Sequence, residues 1–151
     1  MAKKAVIRKL IIRGARISDA PKVAELSGQL GYPATAREIT NRIRRLKAAA
    51  GNALFVAEMP DATIAGWAHV SITYLVEVET RAELNGLVVA EGQRSLGAGA
   101  QLLKTVENWA RKRGCRSMSV RSNVIRERAH RFYEREGYEH FKTQKAFRKT
   151  L

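Results

Sequence analysis

The sequence predicts a mixed α/β domain in which helices flank a sheet. Strand-like and helix-like hydrophobic patterns follow one another in the order β-α-α-β-β-β-α-β-α-β. The 151 residues suffice for one domain with a buried core, and no internal repeat or low-complexity linker divides them. Hydrophobic residues make up 45% of the chain, which argues against a disordered basic tail. We therefore expect a single domain over residues 1–151.

The N-terminal half predicts two helices between strands. Residues 5–17 are rich in β-branched side chains, which is typical of a strand. Ser18 or Asp19 then caps a first helix, and Thr35 caps a second, where Glu38 completes a capping box. The apolar positions at helical spacing are Val23, Leu26 and Leu30 in the first helix and Ile39, Ile43 and Leu46 in the second. Strands are expected over 53–57 and 63–74, with a turn at 60–61 between them.

The C-terminal half predicts a strand, a glycine-rich turn, a helix and a further strand, followed by a helix and a last strand. The expected ranges are 83–89, 92–99, about 98–113, 117–121, 126–136 and 138–147, the last as a strand or hairpin arm. The apolar face of the long helix consists of Leu102, Leu103, Val106 and Trp109, and Gly114 is its C-cap. The strand–turn–helix–strand unit predicts a parallel crossover.

The chain is strongly basic. Its 28 Lys and Arg residues against 14 Asp and Glu residues give a formal net charge of +14. Such a field attracts nucleic acid, an anionic membrane or a polyphosphate cofactor alike. Aromatic residues are only 7% of the chain and do not interleave with basic residues as in a base-stacking platform. The charge therefore predicts an anionic ligand but does not distinguish between these three classes.

Cysteine and hydropathy exclude several further classes of protein. The one cysteine, Cys115, excludes an intramolecular disulfide framework and a metal cluster built of cysteines alone. No apolar run reaches the roughly 18 residues of a membrane span. The N-terminal residues lack the apolar stretch of a signal peptide. We expect a cytoplasmic protein with no membrane partner.

A glycine-rich turn follows the strand that ends at Val89. Glycines allow a ligand to approach the backbone, and the first N–H groups of the following helix favour an anion, so a pyrophosphate could bind there with Arg94. A plain loop before an ordinary helix is the alternative. A dinucleotide fingerprint would need glycine where Leu102 stands, and a P-loop would need Gly-Lys-Ser/Thr, whereas Gly97 precedes Ala98.

Two sequence blocks carry a family resemblance. Residues 94–99, Arg-Ser-Leu-Gly-Ala-Gly, match the Arg/Gln-x-x-Gly-x-Gly/Ala signature of the GNAT superfamily of acyl-CoA N-acyltransferases. Residues 129–138, Ala-His-Arg-Phe-Tyr-Glu-Arg-Glu-Gly-Tyr, resemble its second block, Ala-x-x-Phe-Tyr-x-x-x-Gly-Phe/Tyr. Residues 122–133 and 147–151 are also similar to aminoalkylphosphonate and related small-amine N-acetyltransferases. This narrower similarity lies mostly in the C-terminal half, which is the cofactor-binding half of the family, so it gives little information about the amine acceptor.

The resemblance implies a mostly antiparallel sheet flanked by helices, with a splayed parallel strand pair that holds acetyl-CoA as co-substrate. The implied cofactor-binding residues are Leu87, Val88, Val89, Arg94, Ser95, Leu96, Gly97, Ala98, Gly99 and Asn123. The pyrophosphate would lie on residues 94–99, and the pantetheine arm would pair with the backbone of Leu87 and Val89. Asn123 either touches this arm or caps the end of its strand.

The resemblance also implies the groups that move protons. Tyr133 occupies the position of the general acid that protonates the CoA sulfur; the alternative is a core aromatic whose hydroxyl binds a backbone carbonyl. Glu83 matches a strand position where several members place a base that acts directly or through water; the alternatives are an exposed strand glutamate, or no base at all. Alternation places Glu83, Asn85 and Leu87 on one strand face.

The remaining titratable residues are expected to be structural. His69 is read as a hydrogen-bonded histidine on a strand, His130 as orienting its helix, and His140 as lacking a partner in sequence. Cys115 is read as buried and inert, since direct transfer needs no covalent intermediate. No residue spacing predicts a firm metal site, although a metal-assisted acceptor stays open.

The sequence leaves the acceptor open. An acidic stretch with Glu77, Glu79 and Glu83 would favour a cationic amine or is a solvated connector, whereas Arg37, Arg42 or Arg45 would suit an amine bearing phosphonate or carboxylate. We predict transfer to a primary amine of a small molecule. A macromolecule-directed acyltransferase, acting on aminoacyl-tRNA or a protein amine, and a non-enzymatic RNA-binding protein are the alternatives. A nucleic-acid partner is not favoured, and a homodimer is left open.

Overall fold

The computed structural model describes residues 10–151, and its elements follow the predicted order up to the last helix. The strands are β1 (Ile11–Gly14), β2 (Asn52–Glu58), β3 (Ile64–Thr73), β4 (Arg81–Val89) and β5 (Met118–Val120). The helices are α1 (Ala20–Gln29), α2 (Ala36–Ala48), α3 (Ala98–Lys112) and α4 (Glu127–Arg135), and short 3-10 helices at Ile17–Asp19 and Glu91–Leu96 precede α1 and α3. The first half of the strand predicted over 5–17 lies outside the described residues.

The chain divides into two units. The first ends at Arg121 and contains the sheet with α1, α2 and α3, and the second is Ser122–Leu151, which contains α4. The single domain expected over residues 1–151 stays a prediction. Within the first unit the strand order is β1-β2-β3-β4-β5, antiparallel except for the parallel pair of β4 with β5. The predicted mixed, mostly antiparallel sheet and its parallel crossover are confirmed.

The helix boundaries follow from local sequence. In α2 the Thr35 N–H donates to the Glu38 carboxylate at 2.7 Å, and the Glu38 N–H donates to Thr35 Oγ1 at 3.2 Å, which confirms the capping box. Pro21 lies in the first turn of α1, where its missing N–H removes no helical hydrogen bond. Gly114 follows α3 with φ of +80°, a conformation that glycine adopts without the steric penalty of a side chain.

Helices cover both faces of the sheet. On one face Val56 and Val88 join a core cluster with Leu26 of α1 and Ile43 of α2. On the other face α3 packs its buried residues against β3 and β4. Gly66 of β3 makes this approach close, because a Cβ atom there would lie 3.2 Å from Leu102 Cδ1.

A β-bulge in β4 corrects the predicted alternation. Val70 pairs with Leu84 and His69 pairs with Gly86, so Asn85 is an additional residue without a register partner on β3. Beyond the bulge Leu87 pairs with Ala68, which shares a strand face with Val70. Leu87 therefore lies on the face of Leu84, not on the face of Glu83 as predicted. One additional residue reverses the alternation of every residue that follows.

The strand expected over 138–147 is not formed. All residues from 139 to 151 are exposed and have no regular secondary structure in the described part of the chain. The segment contains several aromatic residues among polar ones, but a strand needs a neighbouring strand for its hydrogen bonds and a face to bury.

Candidate active site

The C-terminal part of β4 has an edge that β5 does not cover. The parallel pairing of the two strands ends where Leu84 meets Val120, although β4 continues to Val89. The Ala90 N–H donates to the Ala65 carbonyl at 2.7 Å, on the β3 side. Since backbone groups alternate in direction along a strand, those of Leu87 and Val89 point away from β3, towards the uncovered edge. This is the splay that the sequence analysis expected between the two parallel strands.

The turn after β4 leads directly into an open helix terminus. Gly97 is the N-cap of α3 with φ of +74°, and no side chain caps the helix. The first backbone hydrogen bond of the helix runs from the Gln101 N–H to the Gly97 carbonyl at 3.1 Å. The N–H groups of Ala98, Gly99 and Ala100 therefore have no acceptor within the helix. Three donors and the positive end of the helix dipole face the same place, which suits an anion.

Arg94 lies in the short 3-10 helix between the end of β4 and the start of α3. Its Nε donates to the Val89 carbonyl oxygen at 3.4 Å, and the side chain is exposed. The guanidinium thus lies at the end of β4, and Arg94 precedes the N-cap of α3 by three residues. A Cβ atom on Gly97 would meet no heavy atom within 4 Å, so the space beside the terminus is open. These residues fit a long ligand that carries a diphosphate at one end and hydrogen-bonding amides along its arm.

The other predicted ligand residues near the turn differ in exposure. Val88 is 6% exposed and belongs to the core cluster, and its backbone groups point towards β3, so it does not face the edge that β5 leaves uncovered. Leu96 is exposed. The side chain of Ser95 lies outside the described residues.

Glu83 is a buried carboxylate with two partners on β5. The residue is 6% exposed. The Ser119 hydroxyl donates to Glu83 Oε2, and Arg121 Nε donates to Oε1 at 3.2 Å. A carboxylate offers about four lone-pair positions, so acceptor capacity remains. The sequence analysis gave an exposed strand glutamate as one alternative for Glu83, and the buried position of the residue excludes it.

Further polar side chains lie on the same face of the sheet as Glu83, and sequence reasoning missed their pairing. Asn85 Nδ2 donates to Ser71 Oγ at 2.7 Å, and Ser71 is the register partner of Glu83. His69 Nε2 lies 3.1 Å from Asn52 Oδ1, and burial lowers the pKa of His69. His69 is the hydrogen-bonded histidine that the sequence predicted. The pairs join different strands, so no local motif could reveal them.

Within Ser122–Leu151, the turn before α4 is built on Asn123. Its Oδ1 accepts from the Ile125 N–H at 3.1 Å, and its carbonyl oxygen lies 2.9 Å from His130 Nε2. His130 thus has the orienting contact that was expected of it. The observed bonds of the Asn123 side-chain oxygen are those of a cap, and its contact with a pantetheine arm stays a prediction.

Tyr133 lies in a small aromatic group within the same unit. Its ring is T-shaped to Phe132 at 5.3 Å and to Tyr138 at 5.8 Å between centroids. Within Ser122–Leu151 its hydroxyl forms no hydrogen bond, in contrast to the predicted alternative of a bond to a backbone carbonyl. Burial raises the pKa of Tyr133, and the positive charge of Arg126 partly opposes the rise. The phenol therefore stays protonated at neutral pH, as a proton donor must.

The remaining candidates have structural or solvent environments. Cys115 is buried, and His140 Nε2 lies 3.0 Å from Thr143 Oγ1. Glu77 and Glu79 are exposed in the connector from β3 to β4. Among residues 10–151, no three His, Cys, Asp or Glu side chains cluster as metal ligands, and no helix is long and apolar enough to cross a membrane.

Comparison with known proteins assigns the chain to a family. Residues 23–138 match the family described as "Acetyltransferase (GNAT) family". The aminoalkylphosphonate N-acetyltransferase of Salmonella typhimurium strain LT2 is 42% identical over 66 residues, 42% of this chain and 43% of that protein. The alignment thus spans less than half the length of this curated relative.

Solved structures share the fold. The aminoglycoside antibiotic 6'-N-acetyltransferase AAC(6')-Ih of Acinetobacter baumannii superposes with a TM-score of 0.82 at 19% identity, covering 95% of this chain and 99% of that one. The aminoglycoside N-acetyltransferase AAC(6')-Iy in complex with CoA gives 0.83 at 22% identity, covering 95% and 96%. A transcriptional regulator from Bacillus halodurans C-125 gives 0.79 at 25% identity, covering 92% and 100%. The similarity extends over almost the entire chain.

Proposed function

The chain belongs to the GNAT acetyltransferase family, whose chemistry is acyl-CoA-dependent N-acetylation, and we propose that it transfers the acetyl group of acetyl-CoA to a primary amine of a small molecule. The predicted family is thereby confirmed. A CoA complex among proteins of the same fold agrees with acetyl-CoA as the co-substrate. The acceptor and the residues that move protons belong to the proposal.

The proposal depends above all on the junction at Arg94. Arg94 donates to the Val89 carbonyl at the end of the β4 edge and precedes Gly97, the open N-cap of α3, by three residues. Backbone donors of α3 and the Arg94 guanidinium bind the pyrophosphate, because charge-assisted hydrogen bonds to phosphate are strong. The backbone of Leu87 and Val89 pairs with the amides of the pantetheine arm. The coenzyme supplies an activated acetyl group.

Proton transfer is assigned to two residues of this chain. The Glu83 carboxylate accepts a proton from the acceptor ammonium, directly or through water, because only a neutral amine attacks a thioester. The Tyr133 phenol donates a proton to the CoA thiolate as it leaves, which is possible because the raised pKa keeps the phenol protonated. Tyr133 belongs to the second unit, and its action on the sulfur is part of the proposal.

The choice of a small amine has support from relatives. The curated relative is named for aminoalkylphosphonates, and two of the matched structures are named for aminoglycosides. All three names describe small amines. A small-molecule acceptor is therefore proposed over a protein or an aminoacyl-tRNA.

The test is a transfer assay on the full chain. Acetyl-CoA binding is measured by calorimetry, and the release of free CoA thiol is followed with small amines, a lysine peptide and aminoacyl-tRNA in separate reactions. The proposal predicts measurable binding and thiol release stimulated by at least one small amine. No heat with acetyl-CoA, or stimulation by the peptide or the tRNA alone, would contradict it.

A further inference from the structure

We propose that Arg121 selects the acceptor, and that Arg121 and Glu83 together form a site for a short amine that also carries a carboxylate or phosphonate group. The inference rests on the proposed function, because it assigns the acceptor amine to Glu83. It concerns residues of the first unit alone.

The geometry of the pair carries the argument. Glu83 and Ser119 are register partners on β4 and β5, and Arg121 follows Ser119 by two residues, on the same face. Arg121 Nε lies 3.2 Å from Glu83 Oε1. The inner nitrogen of the guanidinium is therefore occupied by the carboxylate, and the two outer nitrogens extend beyond it.

The outer edge of Arg121 is available to a ligand. The side chain is 83% exposed, whereas that of Glu83 is 8% exposed. The contact with Glu83 is the one side-chain hydrogen bond or ion pair that Arg121 forms with residues 10–121. A single bond to an exposed arginine contributes little to stability, so the ion pair gives a weak structural reason for this arginine. A planar edge with two parallel donors matches the oxygens of a carboxylate or phosphonate.

The two charges fit one zwitterionic molecule. A negative carboxylate and a positive guanidinium edge lie side by side, separated by the length of the guanidinium group. The ammonium of the acceptor contacts the free lone pairs of Glu83, and its anionic group contacts the outer edge of Arg121. An amine without an anionic group makes only the contact with Glu83. An amine with a second cationic group is repelled by Arg121.

The arginines of α2 provide the competing explanation. Arg37, Arg42 and Arg45 are exposed, and the sequence analysis named them for an anionic acceptor. No described hydrogen bond links any of them to Glu83 or to its polar neighbours Asn85, Ser71 and His69. Arg121 is hydrogen-bonded to the proposed proton acceptor, which makes it the better candidate.

The experiment compares kcat/KM for four acceptors: 2-aminoethylphosphonate, β-alanine, n-propylamine and putrescine. Arg121→Gln should lower kcat/KM for the two anionic amines by about ten- to a hundredfold, the effect of losing a charged hydrogen bond. Propylamine should lose much less than the anionic amines, since only the bond from Arg121 to Glu83 affects it. Putrescine should lose least, because the repulsion of its second cation is removed. Arg121→Lys should recover part of the loss, because it restores the charge without the fork. Arg42→Gln serves as the matched control and should leave all four values unchanged.

The possible failures are distinguishable. If Arg121→Gln slows all four amines by one factor, Arg121 acts only on the fold or on Glu83, and the selection proposal is wrong. If Arg42→Gln gives the selective loss, the anion site lies on α2 instead. If the unaltered protein prefers propylamine or putrescine, the acceptor class is wrong while the proposed function stands. If no amine releases thiol although acetyl-CoA binds, the proposed function itself fails, and this inference fails with it.

Discussion

Gly66 lies so close to Val88 that a Cβ atom on Gly66 would lie 2.6 Å from the Val88 carbonyl oxygen. The two residues belong to neighbouring strands, and Leu102 of α3 packs over the same point at 3.2 Å. The obstacle is backbone on one side and a fully buried leucine on the other. The sheet and α3 can therefore approach to this distance only where residue 66 has no side chain.

Gly66→Ala should destabilise the protein, because the added methyl group displaces β4 or α3. Overpacking of this kind costs about 1–3 kcal/mol in the free energy of unfolding. Urea denaturation measures the loss. Gly14→Ala in β1 is the control, since a Cβ atom there meets nothing within 4 Å. Equal stability of the two variants would show that the close approach is not required.

Gly97→Glu should abolish the binding of acetyl-CoA. The substitution puts a negative side chain where the diphosphate is proposed to bind and forces a residue with a Cβ atom to φ of +74°. Calorimetry with the coenzyme is the readout. Gly114→Glu is the matched control, because Gly114 has φ of +80° and open surroundings at the other end of α3. Comparable coenzyme affinity in both variants would place the diphosphate elsewhere.

Tyr133→Phe should slow transfer and leave coenzyme affinity intact. Loss of a positioned proton donor lowers kcat by about 10²- to 10⁴-fold. Because burial raises the pKa of Tyr133, the activity of the unaltered protein should not fall until the pH exceeds the ordinary tyrosine value of about 10. Tyr32→Phe, at an exposed tyrosine, controls for loss of a hydroxyl. A kcat within twofold of the unaltered protein would remove Tyr133 from the mechanism.

Glu83→Gln should impair transfer to amines that are protonated at the assay pH by about 10²-fold or more, because the amide cannot accept their proton. Amines with a low pKa are already neutral at the assay pH, so the rate of acetyl transfer to them should change little. Steady-state kinetics over a series of amines with graded pKa values measures the difference. Glu79→Gln in the exposed connector is the control. A loss independent of amine pKa would mean that Glu83 is not the base.

Asp19→Asn should reduce stability at neutral pH. Arg13 donates to the buried Asp19 carboxylate at 2.8 and 2.9 Å, and the Arg16 N–H donates at 2.7 Å. Burial alone would raise the pKa of Asp19, but these hydrogen bonds outweigh it and lower the pKa below its ordinary value. The loss at pH 7 should be about 1–3 kcal/mol, the effect of removing a buried charged hydrogen bond.

The lowered pKa of Asp19 also determines how the free energy of unfolding depends on pH. The folded pKa of Asp19 is lower than the unfolded value of about 3.9, so its stabilisation is complete above that pH. It is lost as the pH falls through the folded pKa. Denaturation curves of the Asp19→Asn variant and the unaltered protein should therefore converge in acid. Glu25→Gln, which breaks the exposed contact with Lys22, should change little at any pH.

Local signals in the sequence predicted local structure well. The capping box of Thr35 and Glu38, the glycine at residue 97 and the apolar stripe of α3 each depend on residues within a few positions of one another. The helices and most strand positions were predicted for the same reason. The strand expected over 138–147 was wrong, because pairing depends on a neighbouring strand that the pattern does not contain.

The polar site required contacts between distant residues. Glu83 meets Arg121 across 38 positions of the chain, and His69 meets Asn52 across 17. The bulge at Asn85 depends on register with β3, so strict alternation could not reveal it. The family motif supplied Glu83 and Tyr133 as candidates, but the partners of Glu83 come only from the arrangement of the strands.

Asn85 interrupts the alternation of β4 because it has no register partner on β3. Leu84 before it and Gly86 after it pair with the adjacent residues Val70 and His69, so both sides of the bulge keep regular antiparallel register. Deleting Asn85 would therefore leave every other residue of β4 on its present face and would remove only the bulge and the amide that donates to Ser71. Shortening β4 by this one residue changes the polar groups beside Glu83 without altering the strand that follows.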